Sequence, residues 1–316
     1  MTRKLTIGTR GSKLALWQSR HIAQRLRETG VEEVELEVIT TTGDRLVDRH
    51  PGQMSTKGIF VKEIEDALLH ERVDLAVHSV KDLPGELPAG LTLAAHPERV
   101  DPRDVLLTRD GSALEDLPQG VVLGTVSLRR RAQLLACRPD LRFTDMRGNV
   151  DTRIRKLEAG QVDGIVLALA GLQRLGLVDD RCWPIPVETC LPAPGQGILG
   201  IECRTGDHEV ITALKRLDDA DARREVTAER TVLAELDAGC LVPLAALARI
   251  QAGCMVVQGL VALPDGTDIL REERQGSPDA PARLGHEVAD ALKSRGALEL
   301  LRAARESARG QLPADG

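Results

Sequence analysis

Val34, Leu36 and Val38 alternate with Glu35 and Glu37, the period of a strand with one buried and one wet face. A shorter strand covers 5–8. Between the two, Ser12 offers an N-cap for a helix that runs to about Thr29, with Gly30 as its stop. Phe60, Ile64, Ala67 and Leu68 recur at helical spacing, which predicts a helix over about 58–71. A third strand follows over 73–78. Strand, helix, strand, helix, strand implies crossover connections and a parallel sheet.

The same order returns further along the chain. Strands are expected over 121–124, 141–145 and 162–170, with helices over 127–137 and 150–159 between them. Two Pro-rich segments, His96-Pro97 through Asp101-Pro102 and Leu191-Pro192-Ala193-Pro194-Gly195, mark boundaries. Two linkers between two α/β lobes imply that the chain crosses over, returns, and hinges around a cleft. From about Asp218 the pattern changes to a helix over 223–236, β-rich runs over 245–250 and 255–261, and a helix over 281–294. The expected architecture is therefore α/β with three domains: 1–97 with 195–216, then 98–194, then a smaller one over 217–316. The tail, 311–316, is expected to fray.

With 316 residues there is chain enough for several cores. The aromatic content is 1%, with no Tyr, two Phe and two Trp, too few platforms for stacking on nucleobases. The first eight residues have no apolar core of a signal peptide. No apolar run approaches the roughly 18 residues of a membrane span. Six cysteines without a CxxC pair indicate neither a disulfide framework nor a zinc site. A soluble, cytoplasmic protein with free thiols, no metal, and no nucleic-acid or membrane partner is expected.

Charge sharpens the picture. Nine basic residues against three acidic ones between Arg129 and Lys156 give that segment +6 in a chain of net −6. A basic island in an acidic protein points to a local anion site, although a solvated helical face has the same pattern. The turns Gly8-Thr9-Arg10-Gly11-Ser12 and Gly124-Thr125-Val126-Ser127 each place small and hydroxyl residues at a helix N-terminus. There free N–H groups and the helix dipole favour an anion, and plain N-capping would use the same residues. His78-Ser79-Val80-Lys81-Asp82-Leu83-Pro84 follows a buried strand, the position where open α/β sheets bind ligands. On pattern alone it equally fits a solvated turn with a Lys–Asp pair. Cys240 sits in a loop among small residues, whereas Cys203 and Cys254 suit the role of small buried hydrophobes.

Taken together these stretches resemble the porphobilinogen deaminase (hydroxymethylbilane synthase) family along nearly the whole chain. The resemblance rests on Thr9-Arg10-Gly11-Ser12 with Leu14-Ala15-Leu16-Trp17-Gln18, on Lys57-Gly58-Ile59-Phe60-Val61-Lys62-Glu63, and on Ala76 through Pro84. It continues through Gly124-Thr125 with Ser127-Leu128-Arg129-Arg130, Arg147-Gly148-Asn149-Val150, Leu191 through Gln196-Gly197, and Gly239-Cys240 with Val242-Pro243. The resemblance implies two lobes like those of periplasmic binding proteins and a third domain. It implies a dipyrromethane cofactor held by a thioether on Cys240, and a monomer that condenses four porphobilinogen molecules with loss of ammonia. Porphobilinogen carries an acetate and a propionate, so each added ring brings two negative charges.

By the same resemblance Asp82 is the catalytic carboxylate. Lys57, Lys81, Thr125, Ser127, Arg129 and Arg130 hold the cofactor. Arg10, Ser12, Phe60, Arg147, Arg153, Arg174 and Gln196 hold substrate. Guanidinium groups suit that task because their fork matches a carboxylate. The chain departs from the family pattern at Val126, where a second Ser is usual, and at Gln53, where a Lys is common. Ala238, Leu241 and Ala245 stand where Gly, Gln and Gly are frequent. One rival reading is a solute-binding module with the same two hinged lobes; the third domain bearing Cys240 argues against it. The other is a degenerate relative that folds and binds but no longer polymerises, for which the departures are the only support.

Overall fold

A computed structural model describes residues 4–45, 60–236 and 242–310. Lys57, Cys240 and the departures Gln53, Ala238 and Leu241 lie outside the described residues.

The chain opens with β1 (Leu5–Thr9), α1 (Lys13–Glu28), β2 (Val34–Val38), the single turn α2 (Thr42–Arg45), α3 (Lys62–Leu69), β3 (Leu75–Ser79) and β4 (Leu91–Ala95). Helix α1 starts where expected because the Ser12 hydroxyl accepts from Ala15 N at 3.3 Å. It stops before Gly30, whose φ of +93° a residue with a side chain rarely adopts. Next come β5 (Asp104–Thr108), β6 (Val122–Gly124), α4 (Leu128–Cys137), β7 (Arg142–Thr144), α5 (Val150–Glu158), β8 (Gly164–Ala168), α6 (Leu169–Leu175) and β9 (Cys182–Pro184). The strand expected over 162–170 thus ends at Ala168, and its last residues begin a helix. Leu169, Ala170 and Leu172 are buried, so the run is apolar in either conformation and shows no period that separates them.

The chain then adds β10 (Leu199–Arg204) and α7 (His208–Leu214). The first sheet has the order β2-β1-β3-β10-β4, and the second β7-β6-β8-β5-β9. The α/β class holds, and the strands expected to be parallel are so, β2-β1-β3 in the first sheet and β7-β6-β8 in the second, but further strands join them backwards. Strand β10 runs antiparallel to both β3 and β4, and β5 antiparallel to β8 and β9. The reason is local: Val80 N donates to Ile198 O at 3.1 Å and Leu199 pairs with Ser79. The returning chain thus enters the sheet where β3 leaves it, and can only run backwards.

Last come α8 (Ala220–Glu235), β11 (Leu244–Gln251), β12 (Cys254–Ala262), β13 (Ile269–Gly276), α9 (Pro281–Ser294) and α10 (Ala297–Gly310). The three strands form an antiparallel sheet. Its apolar face, with Val257 and Val261, packs on Val232 of α8, on Leu236 just beyond it, and on Val288 and Leu292 of α9. Helix α9 lies close over β12: a Cβ on Gly259 would come within 2.6 Å of Val288.

By contacts the chain divides into two compact units, Met1–Val100 with Gly197–Arg224, and Asp101–Gln196 with Glu225–Gly316. Within the second unit the buried Glu229 of α8 accepts from Gly195 N at 2.6 Å and from Ala248 N at 2.8 Å. One carboxylate so joins the returning segment to β11. Among the described residues no helix is long and apolar enough to cross a membrane.

Candidate active site

In the first unit three parallel strands, β2-β1-β3, present their carboxyl ends along one edge, where ligands of open α/β sheets are met. After β1 come Arg10 and Ser12, after β2 comes Asp44, and after β3 come Lys81 and Asp82. Arg10 donates through Nε and Nη2 to Asp44, and its guanidinium lies 4.0 Å over the Phe60 ring. Burial works against the Asp44 charge, but hydrogen bonds from Arg10 and Thr41 outweigh it and hold the carboxyl below its usual range. Phe60 also packs on Gly43, where a Cβ would come within 2.2 Å of the ring. A side chain at position 43 would displace the ring that supports Arg10.

Asp82 ends a 3-10 turn, Val80–Asp82, closed by Leu83 N donating to Val80 O at 3.0 Å. It is exposed and forms no hydrogen bond or ion pair among the described residues. Its carboxylate is available to a ligand.

In the second unit β7-β6-β8 are likewise parallel. Thr125 and Ser127 follow β6, Arg147 follows β7, and α6 with Arg174 follows β8. Thr125 Oγ1 accepts from Ser127 N at 3.2 Å, and Ser127 caps α4 by accepting from Arg130 N at 3.4 Å. Arg147 is exposed. Arg153 donates through Nε to Gly148 O at 2.8 Å. Arg174 is buried, and burial brings its guanidinium down to about 10.

Arg129 and Arg130 turn inward. Arg129 Nη1 donates to Asp104 Oδ2 at 2.7 Å and to Leu191 O at 2.8 Å. Arg130 grips Asp104 Oδ1 through Nε at 3.0 Å and Nη2 at 2.8 Å, and reaches Val166 O at 2.8 Å. Gln196 Nε2 donates to the same Oδ1 at 2.9 Å and to Pro102 O at 2.6 Å. Asp104 has no exposed surface. Its burial opposes the charge, but the two arginines outweigh that and hold the carboxyl far below its usual range. Two guanidinium groups against one carboxylate leave a unit of positive charge buried under the N-terminus of α4, where the helix dipole has the same sign.

Asp104 is a residue that sequence reasoning missed. The signal was present as an acidic residue opening the otherwise apolar run Val105-Leu106-Leu107. A second missed group lies in the first unit. His78 Nε2 is 2.9 Å from Glu202 Oε2, and both side chains are buried, with Glu65 of α3 buried beside them. Burial first, and the Glu202 charge second, raise Glu65 to about 7. A carboxyl raised in this way costs the fold nothing near pH 4, where it is protonated folded or unfolded. The cost grows as pH rises towards 7 and then levels off. Glu65→Gln is therefore expected to stabilise the protein at pH 8 by about 1–2 kcal/mol and to be near neutral at pH 4, as read from urea unfolding at both pH values. An equal effect at both would contradict the raised carboxyl.

Cys190 and Cys203 are buried, and burial pushes both thiols up to about 12. Neither is a nucleophile near neutral pH.

Two family models match the chain. That for the porphobilinogen deaminase dipyrromethane cofactor binding domain covers residues 5–212, and that for the porphobilinogen deaminase C-terminal domain covers 223–294. A porphobilinogen deaminase of Desulforudis audaxviator is 49% identical over 310 residues, which is 98% of this chain and 100% of the relative. One of Brevibacillus brevis is 47% identical over 300 residues, 94% of this chain and 96% of the relative. Among solved structures, the methionine binding protein MetQ aligns over 68% of this chain and 89% of its own, with a TM-score of 0.45 and 12% identity. With both family models matched in order and nearly half the residues identical over almost its full length, the chain belongs to the porphobilinogen deaminase family.

Proposed function

We propose that Asp82 is the catalytic carboxylate with which this chain carries out the family reaction, the head-to-tail joining of four porphobilinogen molecules into hydroxymethylbilane with release of ammonia. The observation that carries the reading is the gathering of cationic and hydroxyl side chains on the carboxyl edges of both five-stranded sheets, with Asp82 exposed on one of them. Arg10, Ser12, Phe60, Arg147, Arg153 and Arg174 serve the substrate carboxylates and rings, whereas Gln196, buried with its amide on Asp104 and Pro102 O, supports the Asp104 set instead. Asp82 stabilises cationic pyrrole states and moves protons between the pyrrole α-carbon and the leaving amine.

The donor set fits the dipyrromethane cofactor. Such a group carries four carboxylates, and the buried surplus of positive charge under α4 lies behind the hydroxyls of Thr125 and Ser127. Placed on Asp104, Arg129 and Arg130 act as fixed positive potential behind that helix end more than as free forks. Lys57 and Lys81 complete the set. When bound through Cys240, the cofactor supplies the pyrrole α-carbon from which the chain grows, and it is retained. We read residues 217–316 as the domain that bears it, and the protein as a cytoplasmic monomer that meets neither nucleic acid nor membrane.

Intact mass before and after Cys240→Ser tests the attachment. The substituted protein is expected to lose the mass of two linked pyrroles, and peptide mapping of the original protein to place them on Cys240. An adduct mapped to Cys203 or Cys254, or active protein without one, would overturn the reading.

A further inference from the structure

His78 opens the most distinctive motif of the first unit, yet the catalytic reading gives it no task. It sits on β3 opposite Gly200 of β10, and Glu202 sits opposite Ala76. The paired side chains thus reach diagonally across two neighbouring strands. Glu202 has no exposed surface, and Oε1 of Glu202 and Oε1 of Glu65 are buried without a hydrogen-bond partner among the described residues. Burying such groups costs several kcal/mol when they are poorly satisfied. A tight apolar pair would fill the same space at less cost, so stability is a poor reason for them.

What the pair holds is the exit of β3. One residue on, Ser79 Oγ accepts from Gln18 Nε2 of α1 at 2.9 Å. At the next, Val80 N donates to Ile198 O at 3.1 Å. The Val80 side chain packs where Gly200 has none: a Cβ there would lie 3.1 Å from it. The turn that carries Lys81 and Asp82 is therefore seated on β10, and the His78–Glu202 pair fixes the two strands against each other just before it.

We propose that His78 and Glu202 are positioning residues for Asp82, their buried pair setting the turn on which its carboxylate stands. The proposal rests on the catalytic reading of Asp82. Small displacements of a catalytic group cost large factors in rate, so a polar pair that fixes direction is retained where an apolar one would only fill space.

A double-mutant cycle on the full-length protein with its cofactor separates positioning from plain stability. His78→Gln and the isosteric Glu202→Gln are each expected to lower kcat by about tenfold, with KM for porphobilinogen little changed and the cofactor mass retained. In an Asp82→Asn background the same changes are expected to cost less than about twofold, because the group they position is already lost. The same loss factor in both backgrounds would overturn the proposal, as would normal kcat in either single variant. Loss of the fold in both variants would assign the pair to stability alone and overturn it too. Near-normal turnover of Asp82→Asn by itself would remove the reading of Asp82, an outcome distinct from a cycle that fails while Asp82→Asn is crippled.

Discussion

Asp82→Asn is expected to lower uroporphyrin-forming turnover by a factor on the order of 10² or more, the usual effect of losing a general acid–base group. The substitution keeps the shape of the side chain and removes its charge. Asp82 is exposed and makes no contact among the described residues that holds the fold, so the variant should fold and melt as the original does. It should also still carry its two-pyrrole primer, since the cationic residues proposed to hold carboxylates are untouched. Asp82→Glu should retain more activity than Asp82→Asn, because the charge survives and only the geometry moves. Steady-state turnover, with native mass spectrometry to count the pyrroles on each variant, reads both. Near-normal turnover of Asp82→Asn with primer in place would mean that the chemistry lies elsewhere.

The largest expected loss of stability belongs to Asp104→Asn. The substitution leaves the buried guanidinium groups of Arg129 and Arg130 without their shared counter-charge, and removing one partner of such a set typically costs about 3–5 kcal/mol. For units of this size that is a fall in melting temperature of roughly 6–20 °C. The penalty should depend on pH. The Asp104 carboxyl is held far below its usual range, so its stabilisation is complete above the ordinary carboxylate range and drains away as pH falls below it. The gap between original and variant should therefore narrow from pH 7 to pH 3. A gap that stays constant, or a variant that melts normally at pH 7, would show that the arginines do not depend on Asp104. Arg130→Lys should fall between the two proteins, since an ammonium cannot grip Asp104 at two points and also reach Val166 O.

Much of the secondary structure was legible because local chemistry determined it. Ser12, Ser127 and the Pro281 start all mark helices at their true ends. The alternation of Val34, Leu36 and Val38 marks β2. The direction of the strands joined by helices was legible from their order. Strand β10, which joins them backwards, was not legible, since nothing within Leu199–Arg204 tells which strands it will pair with. Nor was β13, whose central residues, Arg271 to Arg274, are all charged and so lack the alternation of a half-buried strand. In the site, residue types and turns were readable and partners were not. Arg129 and Arg130 looked like free anion holders in sequence, because the carboxylate that takes them lies 25 and 26 residues earlier. Glu202 lies 124 residues from His78, a pairing that no window along the chain contains.

The backward strand β10 also orders events during synthesis. It lies inside the first sheet, between β3 and β4, although both neighbours emerge from the ribosome about a hundred residues before it. At roughly 5–20 residues per second the nascent chain spends about 5–20 s with those two edges open. The second sheet draws all its strands from Asp104–Pro184 and waits for nothing later. It is thus the part of the chain able to condense first, while β3 and β4 keep unpaired edges until Leu199–Arg204 arrives to join them.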